Sequence, residues 1–405
     1  MSGLRFCFPT TFYPPYNFGG DGINVQRLAR ALVKRGHHVT VVHDIDAFHA
    51  ARGRVAPGFA ECDDGVEVVR LSSSIGRLSA LATQQTGYPL GKRKQLRAIL
   101  GSGKFDVINY HNVSLIGGPG VLAYGDAAAK LYTAHDHWLI CPTHVLWRHQ
   151  REPCPSRQCI RCQLVYRRPP QLWRYLGVLE RNLHHLDEFL AFSEFSRKLH
   201  QEFGFPRSMK VVPGFIPEPP PDTGVRVSPH HRPFFLFAGR LERMKGLDDV
   251  IPVFAGYPDA DLVIAGQGIH REALEELAAG AGNIHFIGRV EFDQLRDYFR
   301  NAIATIVSST GFETFGSVAI ESLSEGTPVI ARDRGAPGDL LRQSNGGMLF
   351  TDQSDFVLAL RRLQHDPAFR SARAADGLAA CRRLWSEGIV VSRYLGIVNE
   401  VLARR

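Results

Sequence analysis

Short apolar runs alternate along the chain with stretches in which apolar residues recur every three or four positions, in the order strand, helix, strand. Leu4-Arg5-Phe6-Cys7-Phe8 reads as a first strand, followed by a Pro/Gly-rich loop containing Gly19-Gly20-Asp21-Gly22. A helical pattern through Val25, Leu28, Ala29 and Leu32 stops at Arg35-Gly36-His37 and gives way to the strand Val39-Thr40-Val41-Val42. Similar units recur at Asp106-Val107-Ile108 and Lys130-Leu131-Tyr132-Thr133. This order predicts a parallel sheet with crossover helices. Residues 217–233 hold six prolines and little that could form a core, which marks a linker. A second α/β pattern begins at Phe234-Phe235-Leu236-Phe237-Ala238-Gly239. It continues through Leu262-Val263-Ile264-Ala265-Gly266, Ile284-His285-Phe286-Ile287-Gly288 and Ile303-Ala304-Thr305-Ile306-Val307. Its strands end in Gly or a small polar residue, where ligands sit on a doubly wound sheet. The expected architecture is α/β, with two facing Rossmann-like domains and a central cleft. Residues 1–216 form the first domain and 234–383 the second, and 384–405 hold a final helix, about Trp385 to Leu402, that packs back on the first.

The segment Ser308 to Arg334 carries the most chemistry. A strand ending near Val307 feeds a Gly-containing loop, then a helix from about Gly316 to Ser324, closed by Gly326 and followed by Thr327-Pro328-Val329-Ile330. Such a helix start offers backbone N–H groups to an anion. Glu313 precedes it and Glu321 lies within it, eight positions on. In a continuous helix that spacing is roughly 12 Å, against about 5 Å between the two carboxylates of a retaining glycosidase. The pair therefore reads as two separate hydroxyl anchors, suited to a ligand with a sugar, a diphosphate and a ribose in line. Taken singly, each glutamate is also what a helix dipole or a solvated helix face would select. The loop after the second domain's first strand, Gly239-Arg240-Leu241-Glu242-Arg243-Met244-Lys245-Gly246, adds cations suited to a diphosphate, Arg240 bidentately and Lys245 as a point charge.

With these segments in place the chain resembles the retaining family-4 glycosyltransferases of the GT-B fold. The resemblance rests on Gly19-Gly20 with the Arg35-Gly36-His37-His38-Val39-Thr40 stretch, Thr133-Ala134-His135-Asp136, and Val211-Val212-Pro213-Gly214. It continues through Gly239-Arg240 with Lys245-Gly246, Gly266-Gln267-Gly268, and Glu313 and Glu321 before Gly326-Thr327-Pro328. The chain departs from the family where Val212-Pro213-Gly214-Phe215 lacks the Asn that commonly follows this proline, and where Gly338 stands for the usual Glu. The resemblance implies a nucleotide-diphosphate sugar as donor and no obligatory catalytic metal. It makes Arg240 and Lys245 the diphosphate clamp, with the amides of Phe315, Gly316 and Ser317 and the Gly19-Gly20 loop. Glu313 binds donor-sugar hydroxyls, Glu321 the ribose, and Gly266 and Arg289 line the base. His135 faces the donor sugar, and Asp21, His111 and Asp136 lie on the acceptor side. Transfer proceeds with retention, the departing diphosphate taking the acceptor's proton. Without that match His135 would read as a buried histidine bonded to a carbonyl.

Cys141, Cys154, Cys159 and Cys162 lie in an insertion at 138–165, where a structural zinc site, reduced thiols and a local disulfide all remain open. Asp44-Ile45-Asp46 mimics a metal-binding D-x-D but falls where a polar turn is expected, and is read as coincidence. The formal charge of +8 favours anionic partners. Two basic stretches, Gly91 to Arg97 and Tyr166 to Tyr175, suit peripheral contact with an anionic membrane carrying a lipid-linked saccharide acceptor, or equally solvated helix faces. No apolar run reaches the ~18 residues of a membrane span, and no signal-peptide layout opens the chain, so a cytoplasmic location is expected, at the inner face of the membrane if the contact is made. Two other functions compete. An NAD(P)-dependent oxidoreductase is weakened by Arg271, which stands where the third Gly of the dinucleotide fingerprint belongs. A zinc-stapled basic nucleic-acid-binding protein leaves Glu313, Glu321, Arg240 and Lys245 without a shared purpose, and no nucleic acid is expected as partner.

Overall fold

The structure, a computed structural model, describes residues 3–52, 62–217 and 228–405. Its contacts divide the chain into two compact units, one of Met1–His144, Gln158–Val212 and Val391–Arg405, the other of Val145–Arg157 and Pro213–Val390. The linker expected at 217–233 lies, over 218–227, outside the described residues.

The first unit's sheet is built from β1 (Arg5–Pro9), β2 (His38–Asp44), β3 (Cys62–Asp63), β4 (Val66–Leu71), β5 (Val107–Tyr110) and β6 (Ala129–Ala134). A small hairpin follows, β7 (Trp147–Arg148) and β8 (Glu152–Pro153), before the sheet resumes with β9 (Glu188–Ala191) and β10 (Lys210–Val211). The order is β10-β9-β6-β5-β1-β2-β4-β3, parallel except for β3. Beyond the exposed Arg5, the central strands are buried and mostly apolar, as a sheet covered on both faces requires. The helix Gly20–Lys34 crosses from β1 to β2 and buries Val25, Ala29 and Leu32. The chain runs outward from β1 on one side, then returns to lay β5 on β1's other edge, so the winding reverses between β1 and β5. Residues of the final helix, Glu387–Leu402, belong to this unit from Val391 onward. There Tyr394 Oη accepts a hydrogen bond from Asn109 Nδ2 at 3.2 Å, and Lys210 Nζ lies 2.6 Å from Glu400 Oε2.

The second unit's sheet comprises β11 (Phe234–Ala238), β12 (Asp261–Ala265), β13 (Ile284–Gly288), β14 (Thr305–Val307), β15 (Val329–Arg332) and β16 (Gly347–Phe350). All six are parallel in the order β13-β12-β11-β14-β15-β16, the doubly wound Rossmann arrangement, with its reversal between β11 and β14. Phe235 and Phe237 point to one core with Phe254 and Ile264, and Phe234 and Leu236 to the other with Val263 and Phe299. The β7–β8 hairpin belongs to this unit. Among the described residues no helix is long and apolar enough to cross a membrane.

The polar turn expected at Asp44-Ile45-Asp46 is instead the start of the helix Ile45–Arg52, and it is buried. Asp44 Oδ1 accepts the N–H groups of Asp46 and Ala47 at 3.0 and 3.3 Å, acting as a helix cap. Lys92, from a stretch read as a solvated basic face, turns inward and is 1% exposed. Its Nζ lies 3.1 Å from both Asp44 Oδ2 and Asp46 Oδ2 and donates to Ser79 Oγ. Burial pushes the Asp44 carboxyl up to about 6, against the pull of Lys92. Removing one partner leaves the others uncompensated, so Lys92→Met is expected to lower stability by about 3–5 kcal/mol in urea unfolding. An unchanged midpoint would show the cluster to be dispensable.

Candidate active site

Where the winding of the second sheet reverses, the loops leaving β11 and β14 part to opposite faces and open a crevice at the strands' carboxyl ends. The first loop ends in a 3-10 turn, Arg243–Lys245, and the two loops are pinned together by their backbones. Met244 O accepts the N–H groups of Thr310 and Gly311 at 2.9 and 3.0 Å, and Ser308 Oγ donates to Lys245 O at 2.7 Å. Gly246 has φ 72°, and a Cβ there would sit 2.2 Å from Ser308 O, so only glycine permits this approach. The pinning brings Lys245 Nζ to 2.7 Å from Glu313 Oε1, with the two side chains 20% and 17% exposed. Ser309 Oγ donates to the same oxygen. Burial by itself pushes the Glu313 carboxyl up. The Lys245 cation, the hydrogen bonds from Lys245 and Ser309, and the charge of Arg240 outweigh that and hold it below its ordinary value. Glu313 is therefore an anion at neutral pH.

Beyond Glu313 the buried Phe315 leads to Gly316, a left-handed N-cap, and to the helix Ser317–Ser324. No side chain caps this helix and no acid occupies its first turn, which leaves its leading amides suited to an anion. Glu321 lies on the same helix and is half-buried. Arg240 is exposed and donates to Glu242 Oε1 at 2.8 Å. Gly266 ends β12, and its N–H donates to Gly288 O at 2.7 Å. Cβ atoms at Gly266 and Gly268 would lie 1.8 Å from Gly239 O and 2.1 Å from Leu241 O, so close packing against the β11 loop accounts for this G-x-G. Arg289 is exposed, 3.5 Å from Glu291. Of the residues singled out in the sequence, the structure thus joins Lys245 directly to Glu313 and holds Arg240 within electrostatic reach. Ser309, missed by the sequence reading, stands four residues before Glu313, and its role shows only in the hydrogen bond to that carboxylate.

The first unit repeats the geometry at its own reversal, between β1 and β5. The loop after β1 enters the helix Gly20–Lys34 through Gly19, and the loop after β5 opens with His111 and Asn112. Asn112 Nδ2 donates to Asp21 Oδ2 at 3.1 Å, a contact the sequence did not suggest. His111 Nδ1 and His135 Nε2 are 2.8 Å apart and share one proton. Burial holds the His135 imidazole down at about 4 and His111 well below its ordinary value, so both are neutral. Asp136 Oδ1 accepts the Trp138 N–H at 2.8 Å, and Oδ2 pairs with His144 Nδ1 at 2.9 Å. Burial pushes the Asp136 carboxyl up, but His144 and these hydrogen bonds bring it below its ordinary value.

The cysteine set is divided, with Cys141, Cys159 and Cys162 in the first unit and Cys154 in the second. No disulfide joins these four cysteines, which removes the local disulfide from the alternatives. Cys141 Sγ lies 3.2 Å from Thr143 Oγ1, and Cys154 Sγ donates to Ser156 O at 3.3 Å.

Residues 18–218 match the family model Glycosyltransferase Family 4, and residues 223–377 match Glycosyl transferases group 1. A lipopolysaccharide core biosynthesis glycosyltransferase, LpsD of Rhizobium meliloti, is 27% identical over 51% of this chain and 61% of its own length. A D-inositol 3-phosphate glycosyltransferase of Acidothermus cellulolyticus is 32% identical over 42% of this chain and 41% of its own. The chain thus spans less than two thirds of the curated relatives it matches. Among solved structures, the sucrose-phosphate synthase of Thermosynechococcus elongatus superposes with a TM-score of 0.74 at 19% identity, covering 99% of this chain and 100% of that one. HepE of Anabaena, in complex with UDP, gives 0.65 at 16%, covering 98% and 100%. At these identities the structural likeness shows the fold.

A buried neutral imidazole takes up a proton when the chain unfolds. The stability it supports is complete above about pH 6.5 and is lost as the pH falls toward 4. Urea unfolding at pH 7 and pH 5 is expected to show a loss of about 2 kcal/mol attributable to His135. His135→Asn should reduce the loss by about that amount. An equal loss in the variant would contradict a neutral His135.

Proposed function

Since the chain belongs to the group 1, family 4 glycosyltransferases of the GT-B fold, we propose that it moves a sugar from a nucleotide-diphosphate donor to a hydroxyl acceptor, with retention at the anomeric carbon. The observation that carries this reading is the Lys245–Glu313 pair at the second sheet's reversal, beside an uncapped helix start. A donor diphosphate, with about two negative charges, replaces Glu313 as the partner of Lys245. Arg240 swings from Glu242 to the phosphate oxygens, and the amides of Phe315, Gly316 and Ser317 complete the clamp. Glu313, released, accepts hydrogen bonds from donor-sugar hydroxyls. Glu321 takes the ribose, and Gly266 and Arg289 border the base. On the same reading Gly19, Gly20 and His135 serve the donor, and Asp21, His111 and Asp136 the acceptor.

In the reaction the bond from the anomeric carbon to the phosphate oxygen breaks, and a bond to the acceptor oxygen forms on the same face. The acceptor's proton passes to the departing diphosphate. The protein's part is electrostatic: Lys245, Arg240 and the helix amides stabilise the leaving group, so neither a general base nor a catalytic metal is required. His135, paired with His111, is placed on this reading to hydrogen-bond a sugar hydroxyl. Lys245→Ala and Glu313→Ala are each expected to lower transfer at least about 100-fold with circular dichroism unchanged. Full activity in either variant would overturn the assignment, as would inversion at the anomeric carbon for the mechanism.

Among the relatives' names, lipopolysaccharide core and phosphatidyl-myo-inositol point to lipid-linked acceptors and D-inositol 3-phosphate to a small one, and the first unit's surface supports a membrane-borne acceptor. Leu78 and Leu81 on the helix Arg77–Thr86 are 64% and 47% exposed, and Leu172, Tyr175 and Leu176 are 63%, 56% and 67% exposed. The two segments adjoin, since Trp173 Nε1 donates to Gln84 O at 2.8 Å. Exposed Arg77, Arg93, Lys94, Arg167 and Arg168 stand on the same and neighbouring segments. Exposed apolar side chains accompanied by cations suit an anionic bilayer surface. Flotation with phosphatidylglycerol vesicles is expected to recover the protein, and the double variant Leu78→Glu, Leu176→Glu to release most of it. Equal recovery of both would refute the contact.

A further inference from the structure

His230, Asp261 and His285 form a cluster that the proposed reaction does not use. Asp261 opens β12, His285 is the second residue of β13, and His230 precedes β11. All three therefore lie toward the amino ends of the strands, the opposite end of the sheet from Lys245 and Glu313. The parallel register places His285 beside Val263, two residues after Asp261, so both side chains project from one face. The turn that brings in His230 is tied down by the Asp261 N–H, which donates to Pro233 O at 2.9 Å.

Both imidazoles address the same carboxylate oxygen. His230 Nε2 lies 2.7 Å and His285 Nε2 3.0 Å from Asp261 Oδ2, and the three atoms lie within 4.8 Å of one another. An ion about 2.0–2.1 Å from each ligand separates tetrahedral ligand pairs by about 3.3 Å and right-angled pairs by about 2.9 Å. The observed separations are close to these, and small side-chain rotations would open the cluster around an ion. Asp261 is 3% exposed, whereas His230 and His285 are 18% and 38% exposed, so the carboxylate is fixed and the imidazoles leave a way in. The other carboxylate oxygen, Asp261 Oδ1, is buried without a hydrogen bond, and its nearest cation is Arg232 at 3.4 Å. Arg232 is itself held by Pro258 O at 2.7 Å, placing it to orient a ligating carboxylate from behind.

We propose that His230, Asp261 and His285 bind a divalent transition-metal ion, with zinc the chemistry of choice. Two imidazoles and one carboxylate are a zinc donor set that leaves the remaining position to water. The ion would staple residues 228–233, which lead into β11, to the starts of β12 and β13. Its effect falls on stability, away from the proposed donor site.

The test uses the full chain, stripped with EDTA, desalted and titrated with zinc chloride. Metal content after gel filtration and the thermal midpoint are followed for the natural sequence, for His285→Asn and for the double variant His230→Asn, His285→Asn. Because the thiols can also take zinc, X-ray absorption at the zinc edge separates nitrogen and oxygen neighbours at about 2.0 Å from sulfur at about 2.3 Å. The natural sequence is expected to bind one more zinc than the double variant, through nitrogen and oxygen, with a higher midpoint than the variant at saturating zinc. His285 is partly exposed, so His285→Asn should keep its circular dichroism while losing most of that affinity. Equal zinc content and equal midpoints across the three proteins, or zinc bound through sulfur alone, would overturn the proposal.

Discussion

Lys245 and Glu313 meet because the strands that precede them, β11 and β14, lie side by side although two other strands separate them in the chain. The reversal of winding sends their following loops to opposite faces of the sheet, and the polar groups those loops carry converge at the gap. Backbone hydrogen bonds from Thr310 and Gly311 to Met244 O then fix the loops in one register. The first unit solves the same problem between β1 and β5, where Asn112 meets Asp21, and the neighbouring pair β5 and β6 brings His111 to His135. In both halves the chemistry is positioned by strand order, and strand order is held by apolar strands buried on both faces.

The ion pair has a second consequence. A carboxylate and an ammonium drawn out of water each carry a desolvation cost that mutual contact offsets. Without donor, Lys245 and Glu313 answer each other's charge, and Ser309 adds a further hydrogen bond to the glutamate. On the proposed reading, a diphosphate takes over Lys245 while sugar hydroxyls take over Glu313, so neither charge is left buried and alone. A donor that lacks either the diphosphate or the sugar satisfies only half of this exchange. The site would thus favour the intact nucleotide sugar for a reason that lies in the empty protein.

Much of the fold could be read from the chain, because strand and helix periods are local properties. The strand β13 and the helix at Ser317 fall where the pattern put them, and others shift by a residue or two, as with β1 at Arg5–Pro9. The α/β class with two Rossmann-like units follows from the same pattern. Contacts that depend on strand order were not legible. Nothing in Gly91 to Arg97 distinguishes Lys92, 1% exposed between two aspartates, from its solvated neighbours, because its partners lie more than forty residues away. Asn112 was overlooked for the same reason, and the approach of His111 to His135 appears only once β5 and β6 are paired. The glycines of Gly266-Gln267-Gly268, read as part of a family motif, are also required by backbone packing just after β12.

The central claim is that Lys245, released from Glu313, holds a donor diphosphate, and calorimetric titration with UDP, GDP and ADP and their common sugar conjugates tests it most directly. With EDTA present, one nucleotide should bind the natural protein in the micromolar range, and Lys245→Ala should weaken that binding at least about 10-fold, as expected for losing a charge-assisted contact of about 1.5–3 kcal/mol. Equal affinity in the variant would contradict the account, since the lysine at the reversal of the second sheet would then play no part in holding the donor.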